Sequence, residues 1–326
     1  MKMELRYCIT LAGLIATFGV SAAACGDDDN GTESGSTTSG SGTTSGTGGG
    51  GTGTGTGGGG AGGGDGGGGG TPSSSLISDD FESYEAQGAP GTAWKVYTAM
   101  TGSAVTVDTA QAYSGTKSVK VTTPASTGDN NYKSAMIQFT GDALPVEGNV
   151  VRGRMMFFLE SAPTTDVHWT FIDGSGVVPG SDYMGAEYAA VYRYGGQMAL
   201  DDGNQMMANY DTPGYWSEPK TAPQTDCYHH AEGVVVPTGK WTCVEFSFDG
   251  PKNEMRLWLD GQEVSKLTMS GTGQGCVSEV ENFTWSAPEF TSIGFGWESY
   301  QADDPRTMWI DDVVIGTEPI GCPPAQ

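Results

Sequence analysis

Apolar and polar residues alternate over Trp241-Thr242-Cys243-Val244-Glu245-Phe246-Ser247-Phe248, with one break at Cys243-Val244. A pleated strand with one buried face satisfies a period of two, and a helix does not. Asp249-Gly250-Pro251-Lys252-Asn253 reads as a turn and Met255-Arg256-Leu257-Trp258-Leu259 as the return strand. Asp260-Gly261 makes a second tight turn before Glu263-Val264. Ser118 to Val121, Ser292 to Trp297 and Met308 to Ile315 are further strands, and no 3.6-residue period competes with them. Many short strands punctuated by Gly, Pro and Asp predict an all-β fold: a β-jelly roll, or two-sheet antiparallel sandwich.

The alternation begins only after a long tract of a different kind. Gly26 to about Ser75 holds almost nothing but Gly, Ser, Thr and Asp. Such a segment has no apolar side chains to bury and cannot offset its ordering entropy, so it is expected to be disordered. As a flexible coil of about 50 residues it reaches about 40 Å. Its glycine runs, such as Gly57 to Gly60, lack the strand, helix and Lys of a phosphate loop. The expected organisation is a signal peptide over 1–24, a linker over 25–75 and one β domain over 76–326.

At the N-terminus, Lys2 and Arg6 form a positive region and Ile9 to Val20 an apolar run. Ser21-Ala22-Ala23-Ala24 supplies a small-residue cleavage site directly before Cys25. The run is too short to span a membrane, which takes roughly 20 apolar residues. The segment resembles the lipobox of bacterial lipoproteins, with Ala22 where that family prefers Leu. The resemblance implies lipidation of Cys25 and a membrane anchor at the cell surface or periplasm. The other reading is an ordinary secretory signal with Cys25 a bystander.

From Leu76 onward 33 acidic residues face 13 basic ones, a net charge near −20. Nucleic acid is therefore not an expected partner, because phosphate binding needs a basic face. Cys227, Cys243, Cys276 and Cys322 lie in the domain, and an even number in an exported domain points to two disulfides. Three connectivities are open. Cys227–Cys243 with Cys276–Cys322 is preferred, because the second pair would staple the C-terminal tail. None of the cysteines is in CxxC spacing, which disfavours metal binding by them.

Three short segments stand out together: Asp79-Asp80-Phe81-Glu82, Tyr113 to Val121 (YSGTKSVKV) and Trp309-Ile310-Asp311-Asp312-Val313-Val314. The trio resembles calcium-containing carbohydrate-binding jelly rolls. That resemblance implies a structural calcium held by Glu82, Ser114 and Asp311, with Asp80, Asp312 and the carbonyl of Lys117 nearby. Calcium accepts six to eight hard oxygen ligands, backbone carbonyls included.

Together with the Lys240 to Val264 strand pair, which resembles laminin-G-like and concanavalin-A-like lectin folds, the trio resembles the core domain of the fungal cellulose-induced protein and related glucuronan and alginate lyases. The likeness spans about Ser78 to Cys322 and implies β-elimination on uronic-acid polysaccharide; a monomer is expected. That reaction needs a group to neutralise the substrate carboxylate, a base for the C5 proton and an acid for the leaving oxygen. Arg152 and Arg154 share a strand face and are candidates for the carboxylate. His168, within Asp166-Val167-His168-Trp169-Thr170-Phe171, is the candidate base or neutraliser. Tyr192 is the candidate acid; it shares a face with Tyr188 and Tyr194, while Glu187 and Arg193 share the other. The alternative is non-catalytic carbohydrate binding through aromatics such as Trp216, Trp258, Trp285 and Trp297, or a surface adhesion lipoprotein. No GxSxG elbow or HExxH motif points to another class.

Overall fold

The computed structural model describes residues 75–128, 131–271 and 273–324. The expected signal peptide, Cys25 and all of the linker but Ser75 lie outside the described residues. Ser75 already opens the first strand.

The described chain forms two sheets, and every pairing between named strands is antiparallel. With strands numbered along the chain, the first sheet runs β13 (Gln262–Glu263), β12 (Glu254–Leu259), β11 (Trp241–Asp249), β6 (Val150–Leu159), β17 (Arg306–Gly316), β4 (Ser118–Thr123) and β3 (Ala104–Asp108). β1 (Ser75–Asp79) adds to β17 and β14 (Met269–Ser270) to β12. The second sheet runs β15 (Gly275–Ser278), β10 (Thr225–Val235), β9 (Gly203–Asp211), β8 (Ala189–Leu200), β7 (Trp169–Val177), β16 (Glu289–Ser299), β5 (Lys133–Phe139) and β2 (Lys95–Ala99). The expected all-β sandwich is what the chain forms. Its first and last strands pair, Asp79 opposite Val313.

The core fills the space between the sheets. Phe157, Phe246 and Phe248 of the nine-stranded sheet meet Phe171, Tyr192 and Phe295 of the eight-stranded one. Ring centroids of Phe157–Phe171, Phe246–Phe295 and Tyr192–Phe248 lie 5.5, 5.9 and 5.7 Å apart, the spacing at which aromatic pairs attract. Trp169 and Trp297 stack at 4.8 Å beside them, both buried.

The disulfides join Cys227 to Cys276 and Cys243 to Cys322, not the preferred pairs. Register explains the difference. Cys227 of β10 lies directly opposite Cys276 of β15, whereas Cys243 belongs to β11 in the other sheet. The C-terminal tail is stapled as expected, but to β11. Two disulfides fit an oxidising, extracytoplasmic compartment.

Candidate functional site

Strand register sets one polar line across the eight-stranded sheet. Gly294 of β16 faces Asp173 of β7, which faces Arg193 of β8, then Asn209 of β9 and Tyr228 of β10. The residues on either side, among them Tyr192, Tyr194, Ala208, Tyr210, Ile293 and Phe295, are in the core. The line therefore lies on the outer face. Glycine at 294 is required there, since a Cβ would come within 2.8 Å of both Asp173 carboxylate oxygens. At Gly195 a Cβ would strike the Trp169 carbonyl oxygen at 1.7 Å, so the strand beside Arg193 carries no side chain.

Arg193 is the centre of the cluster. Its Nη1 lies 2.6 Å from Asp211 Oδ2 and its Nη2 4.0 Å from Glu298 Oε1. The guanidinium also covers the Tyr300 ring at 5.9 Å. Tyr300 donates its hydroxyl to Glu298, stacks on Tyr132 at 5.7 Å and meets the His168 ring at 4.9 Å. His168 is clamped through its backbone. Its amide donates to Gln301 Oε1 at 2.6 Å and its carbonyl accepts the Tyr300 amide at 3.2 Å. Its Nε2 is buried without a partner. Ser134 Oγ, Thr170 Oγ1, Asp173 Oδ1 and Asn209 Oδ1 are buried and unpartnered too. Native proteins seldom leave such groups unmade, because each costs about 1–3 kcal/mol. These five atoms lie on the outer face around Arg193.

Burial shifts the ionisable groups apart. It lowers the His168 pKa to about 3, helped by the charges of Arg193 and His230, so the imidazole is neutral. It raises Asp173 to about 7, with Glu298 adding repulsion and Arg193 and the Gly294 amide opposing. Burial, then Asp211, also raises Asp226, against a 2.6 Å hydrogen bond from Asn209. Burial works against the Arg193 charge, but Tyr300, Asp211 and Glu298 outweigh it. Burial keeps the Tyr300 hydroxyl protonated. Burial and charge thus drive neighbouring titratable groups in different directions.

The family model described as a polysaccharide lyase-like, Cip1-like core domain matches residues 80–318. The chain belongs to that family. This membership sets it among carbohydrate-active proteins. Two solved structures resemble this Cip1-like chain. The cellulose-induced protein Cip1 is 24% identical, with 76% of this chain and 100% of that one covered at a TM-score of 0.48. An endo-β-1,4-glucuronan lyase from the fungus Trichoderma reesei is 16% identical, with 72% and 95% covered at a TM-score of 0.45. No curated protein sequence matches.

Of the residues proposed for catalysis from the sequence, His168 alone lies in the Arg193 cluster. Tyr192 points the other way, into the core against Phe248, Trp285 and Phe290, and is fully buried. Arg152 and Arg154 belong to β6 in the opposite sheet and donate to the carbonyls of Thr317 and Gly321 in the C-terminal tail. Tyr300, Arg193, Asp173 and Glu298 stand beside His168 in the cluster instead. The signal for Arg193 was present, since it sits on the face of its strand opposite the tyrosine stripe.

The three segments singled out in the sequence come together in two halves. Glu82 Oε1 accepts the amides of Thr116 and Lys117 at 2.6 Å each, and Oε2 accepts the Thr116 hydroxyl at 2.9 Å. Asp80 accepts the Glu82 amide at 3.2 Å. Lys117 brings its ammonium rather than its carbonyl: Nζ donates to the carbonyls of Glu82 and Tyr84 at 2.7 Å each. A resident cation thus already holds the oxygens beside Glu82, and that half does not fit a metal. The other half does. Asp311 is fully buried, accepts the amides of Tyr113, Ser114 and Asp312, and adjoins Asp312, whose Oδ1 takes the Ser114 hydroxyl at 2.8 Å. Burial, then the Asp312 charge, pushes Asp311 up to about 7.

Lys117→Met keeps the aliphatic stem and removes both bonds from the ammonium. Charge-assisted bonds contribute about 1.5–3 kcal/mol, so the variant should lose about 2 kcal/mol in chemical denaturation. An unchanged midpoint would show that the ammonium does not tie the 82–84 segment down.

Proposed function

We propose that the outer face of the eight-stranded sheet binds a uronic-acid polysaccharide and cleaves it by β-elimination. The observation that carries this reading is the meeting of a neutral His168 with a free Nε2, a protonated Tyr300 and the charged Arg193. His168 Nε2 takes the proton from C5 as the C5–H bond breaks and the C4=C5 double bond forms. The C4–O bond breaks, and Tyr300 gives its hydroxyl proton to the leaving oxygen. Arg193 steadies the resulting phenolate until the proton returns. Asp173, carrying a proton, donates to the substrate carboxylate alongside Arg193. Ionised, Asp173 would repel it, since Asp211, Asp226 and Glu298 already crowd the face with negative charge. The same crowding supports the second reading, in which the face binds sugar without cleaving it.

These assignments set the pH dependence. His168 must be neutral, which holds above about 3, and Asp173 must be protonated, which holds below about 7. Activity on soluble polyuronates, followed by absorbance of the unsaturated product, should peak near pH 5 and fall on either side. Asp173→Asn imitates the protonated carboxyl and should remove the alkaline limb, keeping activity at pH 8. His168→Ala should lower kcat by about 10² to 10⁴. Binding of polyuronate without product at any pH would favour the second reading.

We also propose a structural calcium at the Asp311 half, held by Asp311, Asp312 and Ser114. Two adjacent carboxylates meet Ser114 there, Asp312 through its hydroxyl and Asp311 through its amide, where β17 is bulged. A ligand specific for the native state adds about 2.7 kcal/mol at a hundredfold excess over Kd. Calcium should therefore raise the melting temperature by several degrees over chelator. Asp311→Asn should abolish the difference while Glu82→Gln keeps it. Coincident parental curves would remove the ion.

The N-terminal features support a lipid anchor on Cys25. Cys25→Ser should move the protein from the membrane to the soluble fraction. Equal membrane partitioning of variant and parent would refute the anchor.

A further inference from the structure

The opposite face of the sandwich holds a cleft of about 500 Å³, within the roughly 300–1,000 Å³ of ligand sites. Its floor is set by register. Ser247 of β11 lies between Arg256 of β12 and Arg152 of β6. In the next outward row Glu245 lies between Trp258 and Arg154. A serine flanked by long side chains on both neighbouring strands makes a trough, and Trp258 stands half-buried at its side.

The C-terminal tail forms the remaining wall, with Pro319 and Ile320 lining it. Four links fix the tail there. Arg152 donates to the Thr317 carbonyl and Arg154 to that of Gly321 at 3.1 Å. The Gly321 amide donates to Glu245 Oε1 at 2.7 Å, and Cys322 is bonded to Cys243. The cleft is thus preformed.

Its charges are not evenly matched. Lys252 pairs with Asp249, and Arg256 with Glu254 and Glu263. Glu245 takes the Gly321 amide. Arg152 makes no ion pair among the described residues; its one hydrogen bond is to a neutral carbonyl. A guanidinium that lines a cleft without a carboxylate partner leaves its charge available to an anion. Strands about 4.8 Å apart and a two-residue step of about 6.6 Å place the Trp258 and Arg152 backbones about 12 Å apart. That separation suits a chain segment rather than one sugar.

We propose that this cleft is a second, non-catalytic subsite for a carboxylated polysaccharide, with a sugar ring on Trp258 and a uronate carboxylate on Arg152. It extends the polyuronate reading of the other face but draws on separate residues. Stacking and cation recognition are the two contacts an acidic sugar chain offers. A tethered protein with a site on each face would hold its polymer while the far face works on it.

The test is retardation of the protein in native gels containing polygalacturonate, with fully methyl-esterified polygalacturonate as the uncharged control. The parent should be retarded by the acid form and far less by the ester. Trp258→Ala and Arg152→Gln should each weaken retardation about tenfold, and Trp258→Phe should restore most of it. Trp258→Ala should cleave short oligouronates at the parental rate. Parental retardation of both Trp258→Ala and Arg152→Gln would overturn the subsite, as would equal binding of acid and ester. If Trp258 and Arg152 govern binding but the parent cleaves nothing, the subsite stands and the lyase reading falls. If cleavage depends on His168 and binding ignores both cleft residues, the reverse holds. Melting curves within a degree of the parent confirm that each variant is folded.

Discussion

The two-faced strand governs this molecule. On β8 every second residue must enter the core, and Tyr192 and Tyr194 do so against Phe248. Their insertion leaves Arg193 no choice but the outer face. The same parity on β7, β9 and β16 delivers Asp173, Asn209 and Glu298 to that face. Aromatic packing between the sheets is therefore what aligns the charged row. A slip of one residue on β8 would bury Arg193 and expose two tyrosines.

Such a row is not there for stability. Arg193 and its partners Asp211 and Glu298 are only 12–13% exposed at their side chains, and removing charges from water costs several kcal/mol each before pairing returns some of it. Packing by apolar residues would hold the sheet at least as well. The polar atoms left without partners on the same face deepen that cost. On the proposed reading, a polar ligand supplies the missing bonds. Lys133 and Arg306 differ: Lys133 donates to the carbonyls of Pro124, Asp303 and Asp304, and Arg306 pairs with Asp303. That contrast separates a structural network from a receptive one.

Local pattern made the strands and the sandwich legible, because period two is a property of a few adjacent residues. His168 was legible as the polar side chain of a strand-edge segment rich in aromatics. What local pattern does not carry is which stripe of a strand faces in and which sheet a strand joins. The tyrosine stripe through Tyr192 is as amphipathic as the stripe through Arg193, and only Phe248 and Trp285, more than 35 residues away, decide between them. Arg152 and Arg154 do share a face as their spacing requires, but on β6, across the core from His168. The cysteines fail in the same way, since their pairing follows sheet membership. At Lys117 the segment was recognisable while the use of its side chain was not, because the two carbonyls it reaches lie 33 and 35 residues earlier.

The two outer faces are built on opposite principles, and that difference follows from how each is covered. On the eight-stranded sheet, Tyr300 stacks with Tyr132 over the row and contacts His168. Water is excluded there, pKa values diverge, and proton transfer becomes feasible at moderate pH. On the nine-stranded sheet the cover is a pinned tail beside an open trough. Its ion pairs keep ordinary solvent contact, with Lys252 68% and Arg256 41% exposed at their side chains. A solvated trough can hold and release a polymer repeatedly but has little means of tuning an acid or a base. On the proposed reading, chemistry belongs to the first face and retention to the second, and the aromatic core between them fixes their separation.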